Sequence, residues 1–447
     1  MKLTIYQSDK GDCLLLEAKT GELFLCDGGM RASMREVRNE LTTLRDAQRP
    51  IDLVYVSHID NDHITGVLQL LEDEAEWRVF DLHAADDPIR PPKVPRPPVM
   101  NGILHNAFRD LIGKTEKDVA DLLAAAVPGM LAASVPALFA TAIAEFEDAA
   151  DEMQSIATGI PEALLVSGLI RENALNIPLN QPPGVAQSQS LMLDGEAGSQ
   201  FALGSLKFTL IGPTKDELAN LGKGWATWLR ENKDHVKKIR AEIKRRVDAF
   251  SNGTLTGSPF DLSDWNGIPN LKGVTAPNVA SLMFMVEEGQ GQNRKRLLLT
   301  GDGQQDIIID GLERTGFLPN GGFLHLDVLK VQHHGSENNM DANFAQRVSA
   351  DHYVFCGNGE HANPNTDVIQ IVFDSRLGAP NVRAGAPKAQ NRDFHFWFST
   401  TSAAQPAKLK RKKNFKAVED KVAQLQAQSN GRLHLHFNQD ASIQLQV

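Results

Sequence analysis

Residues Val54-Tyr-Val-Ser-His58-Ile-Asp60-Asn-Asp62-His63-Ile-Thr-Gly66 decide how this chain reads. An apolar run, Leu53 to Val56, gives way to four metal-competent side chains within six residues. A helix-like spacing follows at Ile64, Val67, Leu68, Leu70 and Leu71. The pattern places chemistry at the end of a strand. In extended backbone His58 and Asp60 share a face, whereas the adjacent Asp62 and His63 diverge, an arrangement suited to two neighbouring cations.

Upstream, residues 2–7, 13–17 and 22–26 read as three strands of a meander, the last ending in Asp27-Gly28-Gly29. Asp27 can cap a helix near Ser33–Arg45 or stand as a carboxylate behind a ligand. Downstream, the motif's helix is expected to give way to a strand over Trp77–Leu82 and then to a proline-rich crossing, Asp87–Pro98. Residues 102–176 form an alanine-rich helical insertion, and 215–272 a charged one whose run Lys237–Arg246 reads as a solvated face. Between them, Leu206–Ile211 reads as a strand.

The third block repeats the logic of the first. Asn278-Val-Ala-Ser281 leads into the strand Leu282–Val286, and Arg296–Thr300 ends in Gly301-Asp302-Gly303. The strand Leu326–Val331 ends in Gln332-His333-His334-Gly335-Ser336, and Tyr353–Cys356 ends in Gly357-Asn-Gly-Glu-His361-Ala-Asn-Pro364. A lone His or Asp at a strand end is ordinarily a cap or turn residue. Their joint recurrence in this order points to one metal centre. Lys330 reads as a strand residue that snorkels to solvent.

Length and composition bound the rest. The 447 residues suit one large domain over 1–400 interrupted by the two insertions, with 401–447 as a basic linker, a helix and closing strands. A net charge of -10 argues against a broadly basic surface, so any nucleic-acid contact must be local; the run Lys408–Lys413 reads as a solvated linker first and a polyanion contact second. Three widely spaced cysteines and no apolar signal core suggest a reducing compartment, and the cytoplasm is the expected location. Leu122–Ala144 runs 23 residues without a charge, but its alanines, Pro128, Gly129 and Pro136 fit a buried helical insert better than a membrane span.

The order His-x-Asp-x-Asp-His, strand-Thr-Gly-Asp-Gly and strand-x-His-His-Gly-Ser resembles the metallo-β-lactamase superfamily. More closely, with Asn278-Val-Ala-Ser281-Leu282 and Glu360-His361-Ala-Asn-Pro364, it is similar to the soluble hydrolase domain of ComEC-type DNA-uptake proteins. That resemblance covers roughly residues 1–82, 200–215 and 275–400 and implies an α/β fold, a four-layer αββα sandwich with two helical insertions. It implies two divalent cations, Zn²⁺ or Mn²⁺, with His58, Asp60 and Asn278 at one and Asp62 and His63 at the other. Asp302 would bridge them, and His333 or His334 would complete the second site, the spacing not choosing between the two. Asp62, Asp302 and His361 would serve catalysis, His361 as a donor to a phosphate oxygen or leaving group. The expected activity is phosphodiester hydrolysis of nucleic acid or a nucleotide by a metal-bound hydroxide. Hydrolysis of a lactone, thioester or other acyl substrate is the alternative, as is service in a complex whose protein partner docks on the helical insertions.

Overall fold

The computed structural model describes residues 1–83, 90–106, 163, 166–172, 174–193, 198–222, 245, 280–406 and 410–447. Most of both insertions therefore lies outside the described residues. So do Asn278, the uncharged run Leu122–Ala144, and the basic run 237–246 apart from Arg245.

The chain opens with β1 (Lys2–Tyr6), β2 (Leu14–Glu17), β3 (Leu23–Cys26), α1 (Arg31–Asp46), β4 (Leu53–Tyr55), α2 (Asn61–His83) and β5 (Ile103–Leu104). After the first insertion come β6 (Gln200–Leu203) and β7 (Leu206–Gly212). After the second come β8 (Met283–Glu288), β9 (Lys295–Leu299), α3 (Gln305–Arg314), β10 (Leu324–Lys330), α4 (Ala342–Arg347), β11 (Val348–Phe355) and α5 (Thr366–Leu377). The last elements are β12 (Phe394–Phe398), α6 (Lys410–Gln428), β13 (Leu433–Phe437) and β14 (Ser442–Gln446). One sheet has the order β14-β1-β2-β3-β4-β5 and the other β13-β12-β11-β10-β9-β8-β7-β6. The final strands thus join both sheets, β14 beside β1 and β13 beside β12.

Strand alternation builds the layers. Phe24, Cys26, Leu53 and Tyr55 point into the core between the sheets, where they meet Phe208, Phe284 and Leu299. Leu23, Leu25, Val54 and Val56 point the other way, onto Met34, Val37 and Leu41 of α1 and Ile64, Leu68 and Leu71 of α2. On the far side Met283, Met285, Leu298 and Leu329 face Ile308 of α3, Phe344 of α4, Val372 of α5 and Val418 of α6. Helix, sheet, sheet and helix make a four-layer αββα sandwich. Tyr55 stitches its centre, its hydroxyl donating to the carbonyl of Leu282 across the two sheets.

Trp77–Leu82 corrects the sequence reading: it is the last part of α2, not a strand. Ile64, Leu68, Leu71, Ala75 and Val79 are all buried at helical spacing, and that continuous face outweighs the local strand preference of Trp-Arg-Val-Phe. β6 and β12 were not expected, although Phe394-His-Phe-Trp-Phe398 is strand-favouring text, and β10 and β11 begin earlier than expected.

The first insertion leaves and re-enters through paired asparagine bonds. Asn180 Oδ1 accepts from the His105 amide at 2.7 Å and its Nδ2 donates to the His105 carbonyl at 2.9 Å. Asn106 makes the same two-way contact with Leu191, at 2.7 and 2.8 Å. No helix among the described residues is long and apolar enough to cross a membrane. Cys13, Cys26 and Cys356 are buried and free.

The start of α2 is held against the turn after β3 at closer than side-chain range. A Cβ on Gly66 would lie 1.9 Å from the Gly28 carbonyl oxygen, and one on Gly28 would lie 2.3 Å from the Val67 nitrogen. Gly66→Ala is therefore expected to destabilise the protein by about 1–3 kcal/mol or more, because the clash is with backbone that carries the site. A urea denaturation midpoint unchanged from the parent protein would contradict this.

Candidate metal centre

Parallel strands bring the motif residues together. β3 and β4 are parallel neighbours, as are β9, β10 and β11, so their C-terminal ends share an edge of each sheet. From those ends come Asp27, the His58–His63 loop, Asp302, the His333–His334 turn and the turn carrying His361. Asp27, His333, His334 and His361 all adopt positive φ, between 45° and 55°. Such backbone is costly for residues other than glycine and is typical of sites held under strain by their surroundings.

Each histidine of the cluster is held by its Nδ1 and leaves its Nε2 facing inward. His63 Nδ1 meets Asp27 Oδ2 at 2.9 Å, and His334 Nδ1 meets Asp12 Oδ1 at 3.0 Å. His58 Nδ1 meets Ser57 Oγ at 3.0 Å, and His333 Nδ1 meets Asn339 Oδ1 at 2.7 Å. The Nε2 atoms converge on Asp302: those of His58 and His333 lie 3.7 Å from its Oδ2, that of His334 lies 3.6 Å from the same oxygen, and that of His63 lies 3.3 Å from Oδ1. Asp60 Oδ2 is 3.4 Å from His58 Nε2, and Asp62 Oδ2 is 3.3 Å from His334 Nε2.

Every sequence-predicted ligand among the described residues is thus in one cluster. Ser281, three residues after Asn278 in the sequence, takes a hydrogen bond on its Oγ from the Asp302 amide at 3.3 Å. Asp27 does not cap α1, whose N-cap is Met30 and which has no side-chain cap bond. It instead receives the Ser57 amide at 2.7 Å and the Ser57 hydroxyl at 2.8 Å, as well as His63.

Whether these groups suit a cation can be read from what they leave unsatisfied. Nε2 of His58, His63 and His334 and Oδ1 of Asp60 and Asp302 are buried and make no hydrogen bond. Asp12, His63, Asp302 and His334 each place one donor atom within 4.8 Å of the others. Buried imidazole nitrogens and carboxylate oxygens aimed at one another without bonds form a donor set for divalent cations, and the outer carboxylates fix the tautomers such binding needs. Both oxygens of Asp12 are already engaged, by His334 and by Lys330, so Asp12 supports the centre from behind.

Asp12, Ser57, Lys330 and Asn339 are participants to which sequence reading gave no part in the centre. Lys330 does not snorkel: it is 2% exposed, pairs with Asp12 Oδ2 and donates to the Gly301 carbonyl at 2.9 Å. A cationic head with two acceptors inside has no reason to reach for water. Gly11 permits the approach of Asp12, since a Cβ there would lie 1.7 Å from the Asp62 carbonyl oxygen. Asn339 links His333 to the Asp302 carbonyl, donating to it at 3.0 Å.

A cavity of about 220 Å³ opens against the cluster, lined by Asp62, His333, His334, Lys10, His361 and the amide side chains of Asn338, Asn358, Asn363 and Asn365, among others. The basic start of α6 packs on its rim. Asn414 donates to the Gly359 carbonyl at 2.8 Å, and Arg411 pairs with Asp9 at 3.1 Å.

The family model described as the metallo-beta-lactamase superfamily matches residues 8–74, the span from the β1–β2 turn through the His58–His63 loop into α2. No curated protein matches the chain. The match spans a small part of the chain; with the four-layer α/β fold and the cluster it suggests a metal-dependent hydrolase.

The electrostatics of the metal-free cluster yield a pH dependence. Burial disfavours a charged His334, but Asp302 and Asp12 outweigh it and raise its pKa from 6.5 to about 9. Burial likewise works against ionised Asp12, yet Lys330 and His334 bring it down to about 2. Because the folded pKa of His334 lies above its unfolded value, the stabilisation is complete below about 6.5 and is lost as pH rises through about 9. In chelator-treated protein the thermal midpoint should fall across that window, and His334→Gln should flatten the fall. Thermal denaturation across the same pH range checks it, parallel curves for the two proteins being the contrary result.

Proposed function

We propose that this chain is a two-metal phosphodiesterase acting on nucleic acid or a nucleotide. The observation that carries the reading is the donor set: the carboxylates of Asp60, Asp62 and Asp302 stand among four imidazoles at the end of a polar cavity. His58 and Asp60 would hold one cation and Asp62, His63 and His334 the other, with Asp302 between them. His333 reaches the same Asp302 oxygen as His58 and His334, and Asn278 belongs with the first position by the ComEC-type resemblance. The carboxylate at Asp60 makes that first position oxygen-rich, which suits Mn²⁺ alongside Zn²⁺. Bound cations supply Lewis acidity toward a phosphoryl oxygen and lower the pKa of water.

The chain's own groups do the remaining work. Asp27, Asp12, Ser57 and Asn339 keep the imidazoles oriented, so the cluster needs little rearrangement to act. His361 and Lys10 lie on the cavity wall, where an imidazole can donate to a phosphate oxygen or leaving group and an ammonium can neutralise a phosphate. Lys410 and Lys413 are exposed at the start of α6, the helix whose Asn414 holds the Gly359 carbonyl beside the cavity.

Asp302→Ala and Asp62→Ala are each expected to lower hydrolysis of a chromogenic phosphodiester by more than about 100-fold in metal-loaded protein. Parallel assays with phosphodiester and carboxylic ester chromogens under Mn²⁺ and Zn²⁺ decide the reaction class. Turnover of the esters alone would overturn the phosphodiesterase reading, as would unaltered turnover in both variants.

A further inference from the structure

We propose that Lys330 is a positioning residue for the metal centre, acting through Asp12 to fix the ring of His334. This rests on the reading of the cluster as a cation site but not on the identity of the substrate. Lys330 ends β10, only three residues before the His333–His334 turn, yet its side chain runs inward and its Nζ meets Asp12 Oδ2 on the β1–β2 turn. The same ammonium donates to the Gly301 carbonyl at 2.9 Å, which anchors it to the end of β9, and lies 3.8 Å from Asp302 Oδ1, well beyond its contact with Asp12. Asp12 passes the restraint on, its Oδ1 lying 3.0 Å from His334 Nδ1. The far nitrogen of that ring, His334 Nε2, makes no hydrogen bond and lies 3.3 Å from Asp62 and 3.6 Å from Asp302.

The second histidine with a carboxylate behind it supplies the contrast. Asp27, behind His63, is held by neutral donors, the amide and hydroxyl of Ser57. Asp12, behind His334, is held by a buried cation. A buried ion pair is weak as a source of stability, since well-packed apolar side chains often serve as well, and the best-attested use of such a pair is to fix register. Here it fixes the turn between β1 and β2 to the ends of β9 and β10, three segments that meet at the cluster. Unlike His63, His334 has a positive φ, 55°, so its backbone alone gives the ring little reason to stay in place.

The test is a double-mutant cycle read on cation binding. Wild-type protein, Lys330→Met, Asp12→Asn and the double variant are titrated with Mn²⁺ and Co²⁺ by calorimetry, and the visible absorption of the Co²⁺-loaded forms is recorded. Each single variant is expected to weaken cation binding by about 10–100-fold and to alter the Co²⁺ spectrum, with Lys330→Arg closer to wild type. Since both residues act in one chain, the double variant should bind no more weakly than Asp12→Asn alone. The double variant removes both charges of the pair together, so its comparison with wild type stands even if neither single variant folds, and wild-type affinity and spectrum in it would overturn the proposal. Wild-type affinity and spectrum in Lys330→Met, or a further loss in the double variant beyond Asp12→Asn, would overturn the proposal. Wild-type protein that binds neither cation would overturn the metal reading beneath it. Failure to cleave phosphodiesters, by contrast, would leave these affinities untouched and strike only the substrate assignment.

Discussion

Charge compensation in a dry interior is the constraint on which the rest of the structure depends. Asp12, Asp27 and Asp302 are almost fully buried, and an isolated carboxylate in such surroundings would rather take up a proton than stay charged. The fold answers with Lys330 and a ring of imidazoles. Burial disfavours the charged form of Asp302, yet His63, His334 and His333 hold it well below the usual carboxylate range. The same mutual attraction raises His63 well above the ordinary histidine range against its own burial. Cations entering the cluster would therefore compete with protons on these rings, so affinity and acidity are two faces of one arrangement.

The sandwich exists in the form it does to deliver these groups. A parallel run from β9 to β11 sets successive C-terminal ends side by side, and the parallel pair β3–β4 does the same in the facing sheet. Tyr55 and the rings of Phe24 and Phe208, with centroids 4.6 Å apart, lock the two sheets together next to that edge. Backbone contact between Gly28 and Gly66 then sets where α2 begins, and with it the placement of Asp62 and His63.

Much of this was legible in the chain because ligands at strand ends leave a local signature: an apolar run, an abrupt polar letter, a turn. His58 to His63, Asp302 and His333 to His334 all carry it, and the apolar run Leu53 to Val56 was enough to place a strand before the first of them. The long-range supports left no such trace. His334 and Asp12 are 322 positions apart, and nothing at either place marks the other. Lys330 sat in a strand pattern whose usual meaning is an exposed ammonium, and only the spatial neighbours Asp12 and Gly301 change that meaning. Trp77–Leu82 failed for a different reason, since six residues of strand-favouring text were read apart from the helical face they continue.

The asparagine clasps at the base of the first insertion have an evolutionary reach. Asn180 and Asn106 satisfy the backbone of His105 and Leu191 in both directions, so the exit and return of the chain are fixed to the edge of the sheet whatever lies between. A loop whose ends are pinned gains or loses residues at a cost that grows only slowly with its length. Segments of different length can thus be carried between these clasps without disturbing how the strand ends of the sandwich are aligned.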